Sequence, residues 1–265
     1  HEPPDKESDL PTAIVVDPKQ KGDFYPFKEL AAAGVVFKFL QGLAQKYPKI
    51  SETDLKWLLD LTALATVADM GPLISENRIF VKFGLIVLAR TKRVGLAKML
   101  EKLEIEKPDA HHISFRIAPR LNSPNRMDHI NEAFLLLTTK DEDLAEKIIE
   151  SLEKANFIRQ KNLERAVEKA IEQIEEKEIH KENIIVVRGR EWPQGLAGLI
   201  AGKIVERYYR PTIVLTETED YLKGSARSID EFNIVEALGE TANFLEKFGG
   251  HKKAAGLTIR KENFE

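Results

Sequence analysis

The sequence contains no cysteine. That excludes disulfide scaffolds, thiolate metal sites, iron–sulfur clusters and cysteine nucleophiles, and leaves oxygen and imidazole as donors for any metal ion. No apolar run approaches the roughly eighteen residues of a membrane span, and no charged-then-apolar leader follows His1; the expectation is a cytoplasmic protein without a membrane partner. An excess of one charge is also missing: 40 basic residues against 43 acidic ones leave a net charge of -3. A nucleic-acid partner would therefore need a local basic patch, since the molecule as a whole is no polycation. Between Pro124 and Gly189 there is neither glycine nor proline, so nothing there interrupts a helix.

What is present is a chain of 265 residues, 43% apolar and 31% charged, enough for one large or two modest domains with real cores. Residues 12–16 (Thr-Ala-Ile-Val-Val) read as a short strand in a proline-punctuated stretch. Helical spacing is predicted from about Pro26 to Leu40, over 52–68, over 77–91 and over 95–103. In the glycine-free span, Leu144, Ile148, Leu152, Ala155, Leu163, Val167, Ala170 and Ile174 return at helical intervals, and Thr139 followed by Glu142 has the form of a capping box. A helix from about Lys140 to Glu178 follows, with a break near 156–160 as the alternative. At 1.5 Å per residue it would be about 58 Å long, too long for either domain and best read as a connector. Beyond it come a strand at 183–187, a helix at 195–207, a strand at 212–215, a strand end or loop at 224–228, a helix at 232–247 stopped by Gly249, and a strand at 255–260. This order describes a compact α/β unit.

Several segments could carry chemistry. Asp69 ends a long apolar run just before Gly71-Pro72, which suits either a metal-ligating carboxylate or a helix-terminating aspartate making a turn hydrogen bond. The segment Phe115-Arg-Ile-Ala-Pro-Arg-Leu-Asn-Ser-Pro-Asn-Arg126 places Arg116, Arg120 and Arg126 beside Asn122; it is either a phosphate-binding surface or a solvated loop. His111-His112 is read as a pair of ordinary polar positions, because adjacent residues on a strand point to opposite faces and a third ligand is lacking. Ser225 and Arg227 alternate, so on an extended backbone they share a face. A Gly249-Gly250 turn followed by His251, Lys252 and Lys253 adds a close-approach backbone and positive charge, or else a plain helix cap with a basic loop. Gly195 opens a helix whose N-terminal amides could meet a phosphate.

Six collinear stretches, Tyr25 to Leu30 (YPFKEL), Leu64 to Arg78 (LATVADMGPLISENR), Phe115 to Arg126 (FRIAPRLNSPNR), Gly195 to Leu215, Gly224 to Ile229 (GSARSI) and Phe248 to Gly256 (FGGHKKAAG), resemble the RecJ-type single-strand-specific 5′ to 3′ exonucleases of the DHH phosphoesterase superfamily. The resemblance implies two α/β domains joined by a long helix: residues 1–130 as the C-terminal part of a DHH domain, 131–180 as the connector and 181–265 as a DHHA1 substrate-binding domain. It further implies hydrolysis of single-stranded DNA to 5′-mononucleotides by two divalent ions, Mn²⁺ or Mg²⁺, in DNA repair or recombination. A narrow cleft between the domains would select single strands.

Carried over by position, His1 is similar to the last histidine of the Asp-His-His motif and Asp69 to the late metal-ligating aspartate. Ser225 and Arg227 match positions holding the terminal 5′ phosphate, His251 a substrate contact, and Arg120 with Asn122 the arginine motif. Partners implied are the 5′ end of a single strand, with a helicase or a single-strand-binding protein as recruiting proteins such an enzyme could take. The earlier aspartate motifs and a C-terminal OB-type domain are absent, so a central fragment with an incomplete catalytic site is expected, and Trp192-Pro193 stands where Trp-His is usual. A phosphodiesterase of short oligonucleotides or cyclic dinucleotides, and a non-catalytic DNA-binding scaffold, are the alternatives.

Overall fold

A computed structural model describes residues 12–123 and 131–264; His1 and Arg126 lie outside them. The chain divides into two compact units, one reaching Glu153 and the other beginning at Lys154.

The described part of the first unit is helical. Its elements are α1 (Ala32–Lys46), α2 (Glu52–Trp57), α3 (Leu59–Ala68), α4 (Ser75–Leu88), α5 (Val94–Lys102), α6 (Ala110–His112), a π-helical turn (Ile113–Ile117), α7 (Ala118–Leu121) and α8 (Asn131–Thr138). The strand predicted at 12–16 does not form: Ile14 is 97% exposed and no strand is assigned there. β-Branched residues favour a strand only where a neighbour supplies pairing and cover. The helix read across 52–68 is two, meeting at Leu58. Ser51 caps α2 by accepting from the Asp54 amide at 3.1 Å. Two residues into α3, the buried Asp60 accepts from Thr91 Oγ1 at 2.7 Å and pairs with Arg93 Nε at 3.3 Å. These bonds fix α3 to the segment that follows α4. The core gathers Leu64, Leu88, Leu96, Met99, Ile113, Ile117, Leu136 and Leu152.

Helix α9 (Glu142–Glu176) is continuous over 35 residues, about 53 Å at the helical rise. The break considered near 156–160 is absent. Asn156 is buried, and its side-chain oxygen accepts from Arg159 Nη2 at 2.9 Å, so its polar end is satisfied one turn along the same helix. The helix serves both cores: Ala145, Ile148, Ile149 and Leu152 join the first unit's, and Ala166, Ala170 and Ile174 the second's.

The second unit is an α/β layer structure. Its strands are β1 (Ile185–Gly189), β2 (Thr212–Glu217), β3 (Tyr221–Arg227), β4 (Leu245–His251) and β5 (Ala254–Arg260), in the order β1-β2-β3-β5-β4. β1 and β2 are parallel, joined through α10 (Ala197–Tyr208); the other pairs are antiparallel. On one face Ile185, Val187 and Val214 pack with α10 and the C-terminal part of α9. On the other, Leu215, Leu222, Ala226, Leu257 and Ile259 pack with Ile234 and Leu238 of α11 (Ile234–Glu240). Gln173 of α9 bonds both the amide and the carbonyl of Arg188, which blunts the β1 edge.

Residues 232–247, read as one helix, are α11, a 3-10 turn at Ala242–Phe244 and the start of β4. Gly249 and Gly250 therefore lie within an edge strand, not in a helix-terminating turn.

Candidate nucleic-acid interface

Register alone assembles the candidate site in the second unit. Directly paired residues put their side chains on one face of a sheet, and alternate residues along a strand repeat that face. Val214 of β2 is opposite Ser225, Ser225 opposite Gly256, and Gly256 opposite Gly249. The adjacent same-face row runs Thr212, Arg227, Ala254, His251. Ser225 and Arg227 thus lie on the α10 side of the sheet, and His251 stands on the same side, two strands away from Arg227 or about 10 Å. The floor between them is Ala254, Gly256 and Gly249, too small to fill the space above.

Helix α10 closes one side. A Cβ on Gly198, in its first turn, would lie 2.6 Å from Arg227 Nη2 and 3.0 Å from Ser225 Oγ, so only glycine lets the guanidinium lie there. Arg227 Nη1 donates to Ser225 Oγ at 3.1 Å and to the Ala226 carbonyl at 2.8 Å, which orients its planar fork. The guanidinium and the start of α10 are both favourable neighbours for an anion. Gly195 sits in the 3-10 turn Gln194–Leu196 that leads into α10, at this same end.

The β4 edge carries a second constraint. Gly250 has φ +150, and a Cβ there would lie 2.3 Å from the Ala254 carbonyl. The basic residues after it divide in role: Lys253 is ion-paired with Asp230 and holds that carboxyl below its usual range by hydrogen bond and charge, whereas His251 is exposed on the strand.

In the first unit the predicted residues have other surroundings. Asp69 is the C-cap of α3. Met70 follows at φ 55, its amide bonding the Val67 carbonyl, and the Gly71 amide bonds the Thr66 carbonyl at 3.0 Å, a Schellman closure. The turn is made by backbone, and the Asp69 carboxylate is exposed without a hydrogen bond or ion pair among the described residues. It stands at the negative end of a helix, where a cation is favoured.

Arg116 donates to the Leu103 carbonyl at 2.5 Å, and Arg120 to the Arg116 carbonyl and, with two nitrogens, to Glu153 at 2.5 and 3.2 Å. Both arginines are engaged by protein groups. Asn122 is the exposed C-cap of α7. His111 and His112 lie on α6, not on a strand; Asp109 caps that helix by accepting from the His112 amide at 2.7 Å, and the His111 ring meets Phe115. Among the described residues no group of three or more His, Asp or Glu could hold a metal ion. The residues described do not by themselves fit a dinuclear centre.

Sequence reasoning missed Gly198, whose only signal is its position three residues after Gly195. It also missed Lys223, which shares the alternation of Ser225 and Arg227, and Lys247, hidden because β4 was read as helix.

A mixed sheet with two helices on one face and one on the other, carrying a serine–arginine pair against a helix start and a Gly-Gly-His edge strand, defines a DHHA1-type unit; residues 181–265 match the DHHA1 domain family. Over nearly its whole length the chain is similar to RecJ exonucleases. It is 39% identical over 267 residues to the single-stranded-DNA-specific exonuclease RecJ of Bacillus subtilis (strain 168), covering 99% of this chain and 33% of that protein. To the RecJ of Escherichia coli (strain K12) it is 32% identical over 277 residues, covering 97% of this chain and 48% of that one. The crystal structure of RecJ in complex with Mn²⁺ from Thermus thermophilus superimposes with a TM-score of 0.82 at 31% identity, over 90% of this chain and 35% of that one. The corresponding Mg²⁺ complex gives 0.79 at 29% identity, over 91% and 37%. The chain spans about a third to a half of the length of the curated relatives it matches. No helix among the described residues is long and apolar enough to cross a membrane.

Proposed function

We propose that this chain is part of a metal-dependent exonuclease that degrades single-stranded DNA from the 5′ end to 5′-mononucleotides, in DNA repair or recombination, and that its second unit grips the terminal phosphate. Residues 1–130 are assigned to a DHH domain, 131–180 to the connector and 181–265 to the binding domain. The observation that carries the reading is the anion cradle of Ser225, Arg227 and the Gly198 turn of α10, with His251 on the same sheet face. Its donors are a hydroxyl, a guanidinium and a helix start, the set that recognises a phosphate monoester.

Asp69 is assigned as a ligand of a divalent ion, with His1 as a second; Mn²⁺ and Mg²⁺ are the ions named for the related structures. When bound, such ions acidify a water and stabilise charge on the attacked phosphate. Asp69 and His1 are too few to hold a pair of ions, so hydrolysis needs ligands from elsewhere. The relationship to RecJ puts long single strands ahead of cyclic dinucleotides as the substrate class.

The test is binding of 5′-phosphorylated and 5′-hydroxyl oligothymidylates to the chain and to its Arg227→Ala variant. A charge-assisted contact contributes about 1.5–3 kcal/mol, so the variant should lose about ten- to hundredfold in affinity for the phosphorylated strand and little for the hydroxyl one. Equal losses for both strands would remove the role assigned to Arg227.

A further inference from the structure

Next to the cradle the same face of the sheet carries a row the terminal phosphate does not use. Thr216 of β2 is opposite Lys223, Lys223 opposite Thr258, and Thr258 opposite Lys247. Two ammonium groups thus flank a hydroxyl across three adjacent strands. The three residues line a hollow of about 300 Å³, together with Gln194 and the backbone of Gly249 and Gly256. No acidic side chain is among its lining residues, and neither lysine has an ion-pair or hydrogen-bond partner among the described residues. The neighbouring basic residues are neutralised: Lys253 by Asp230 and Arg260 by Glu246. Two cations without a partner among the described residues, on either side of the Thr258 hydroxyl and lining one hollow, are an arrangement that an anion would complete.

We propose that Lys223, Thr258 and Lys247 form a second anion subsite, which takes a further phosphate group of the ligand whose terminal phosphate is held by Ser225 and Arg227. The inference rests on the terminal-phosphate reading. Lys223 is two residues from Ser225 along β3, about 7 Å. That separation is comparable to the spacing of neighbouring phosphates on an extended single strand, and a lysine side chain also brings it within reach of the outer phosphates of a polyphosphate tail. The shared chemistry is a second phosphate; its two sources are the next phosphodiester and a longer 5′ phosphate tail. Cleavage to mononucleotides requires the first phosphodiester at the metal ions. A strand held with that group on the sheet would therefore be parked, and a polyphosphate end would be held without that conflict.

The experiment is calorimetric titration of the whole chain, without divalent metal, with thymidine 5′-monophosphate, thymidine 5′-triphosphate and the 5′-phosphorylated dinucleotide pTpT. At least one of the two longer ligands should bind about tenfold tighter than the monophosphate. In the Lys223→Ala/Lys247→Ala variant that increment should vanish, while monophosphate affinity stays within about twofold. Lys247→Ala alone, on the exposed edge strand, should remove part of the increment and keeps the test available if the double variant does not fold. A gain confined to the triphosphate identifies a tail site, and one confined to pTpT a phosphodiester site. Longer ligands that bind no tighter than the monophosphate, or an increment that survives both substitutions, would overturn the second subsite alone. Monophosphate binding that is indifferent to Arg227→Ala would overturn the first reading, and this one with it.

Discussion

Arginine is used in opposite ways in the two units. In the helical unit Arg93 is bound to the buried Asp60, Arg116 to a backbone carbonyl and Arg120 to Glu153; each ties one element to another. In the sheet unit Arg227 bonds Ser225 and the Ala226 carbonyl of its own strand, over a floor of glycine and alanine. The difference follows from geometry. A helix end leaves unpaired carbonyls for a long side chain to reach, as Arg116 reaches that of Leu103 at the end of α5, whereas a sheet satisfies its own backbone and displays side chains on its face. Arginines near helix ends are thus used to join elements, whereas the Ser225–Arg227 pair is set by the alternation of one strand.

Three substitutions would break or sharpen this contrast. The largest effect is expected from Asp60→Ala, which removes the acceptor shared by Thr91 and Arg93; with Arg93 partly exposed the loss should be about 2–3 kcal/mol. Hydrogen exchange should show the first unit's helices losing protection while β2, β3 and β5 keep theirs. Equal loss in both would mean that the two units are not separately stabilised.

Next comes Gly198→Ala, which adds a methyl where the Arg227 guanidinium lies. Affinity for a 5′-phosphorylated strand should fall about tenfold, as for a lost charged hydrogen bond. Thermal stability should hold or rise, since alanine exceeds glycine by about 1 kcal/mol in a helix. A fall in stability with binding intact would make Gly198 a packing residue only.

The smallest effect belongs to Glu76, which accepts from Tyr25 at 2.6 Å and pairs with Lys38 at 2.8 Å. Burial raises its carboxyl, but the bonds from Lys38 and Tyr25 outweigh that and leave it below the usual carboxylate value. Lowered in the folded state, it adds stability above its unfolded value, and that contribution is lost as pH falls through the folded one. Glu76→Gln should remove up to about 1 kcal/mol at neutral pH and flatten the acid limb of the stability profile; an unchanged acid limb would show the pair to be energetically silent.

Much of the sheet unit was legible because its strands β1, β2 and β5 carry β-branched runs, and because the period of two places Ser225 and Arg227 together whatever their neighbours are. The long helix was legible from an uninterrupted apolar period. β4 was not: Leu245-Glu-Lys-Phe-Gly-Gly-His251 has no β-branched residue, and it is a strand because β5 pairs with it. With β4 misread, Lys247 could not be placed beside Lys223. The strand read at 12–16 failed for the converse reason, propensity without a partner. Asp69 was located correctly at a helix end by its Gly-Pro context, but its freedom from the turn's hydrogen bonds depends on Met70 taking a left-handed conformation, which the sequence does not announce.

The most direct measurement is a crystal structure of this chain with a 5′-phosphorylated oligothymidylate. The expected result is a terminal phosphate whose oxygens lie within hydrogen-bond distance of Ser225 Oγ and the Arg227 guanidinium, against the first turn of α10. A terminal phosphate bound elsewhere, with that face of the sheet bare, would contradict the account.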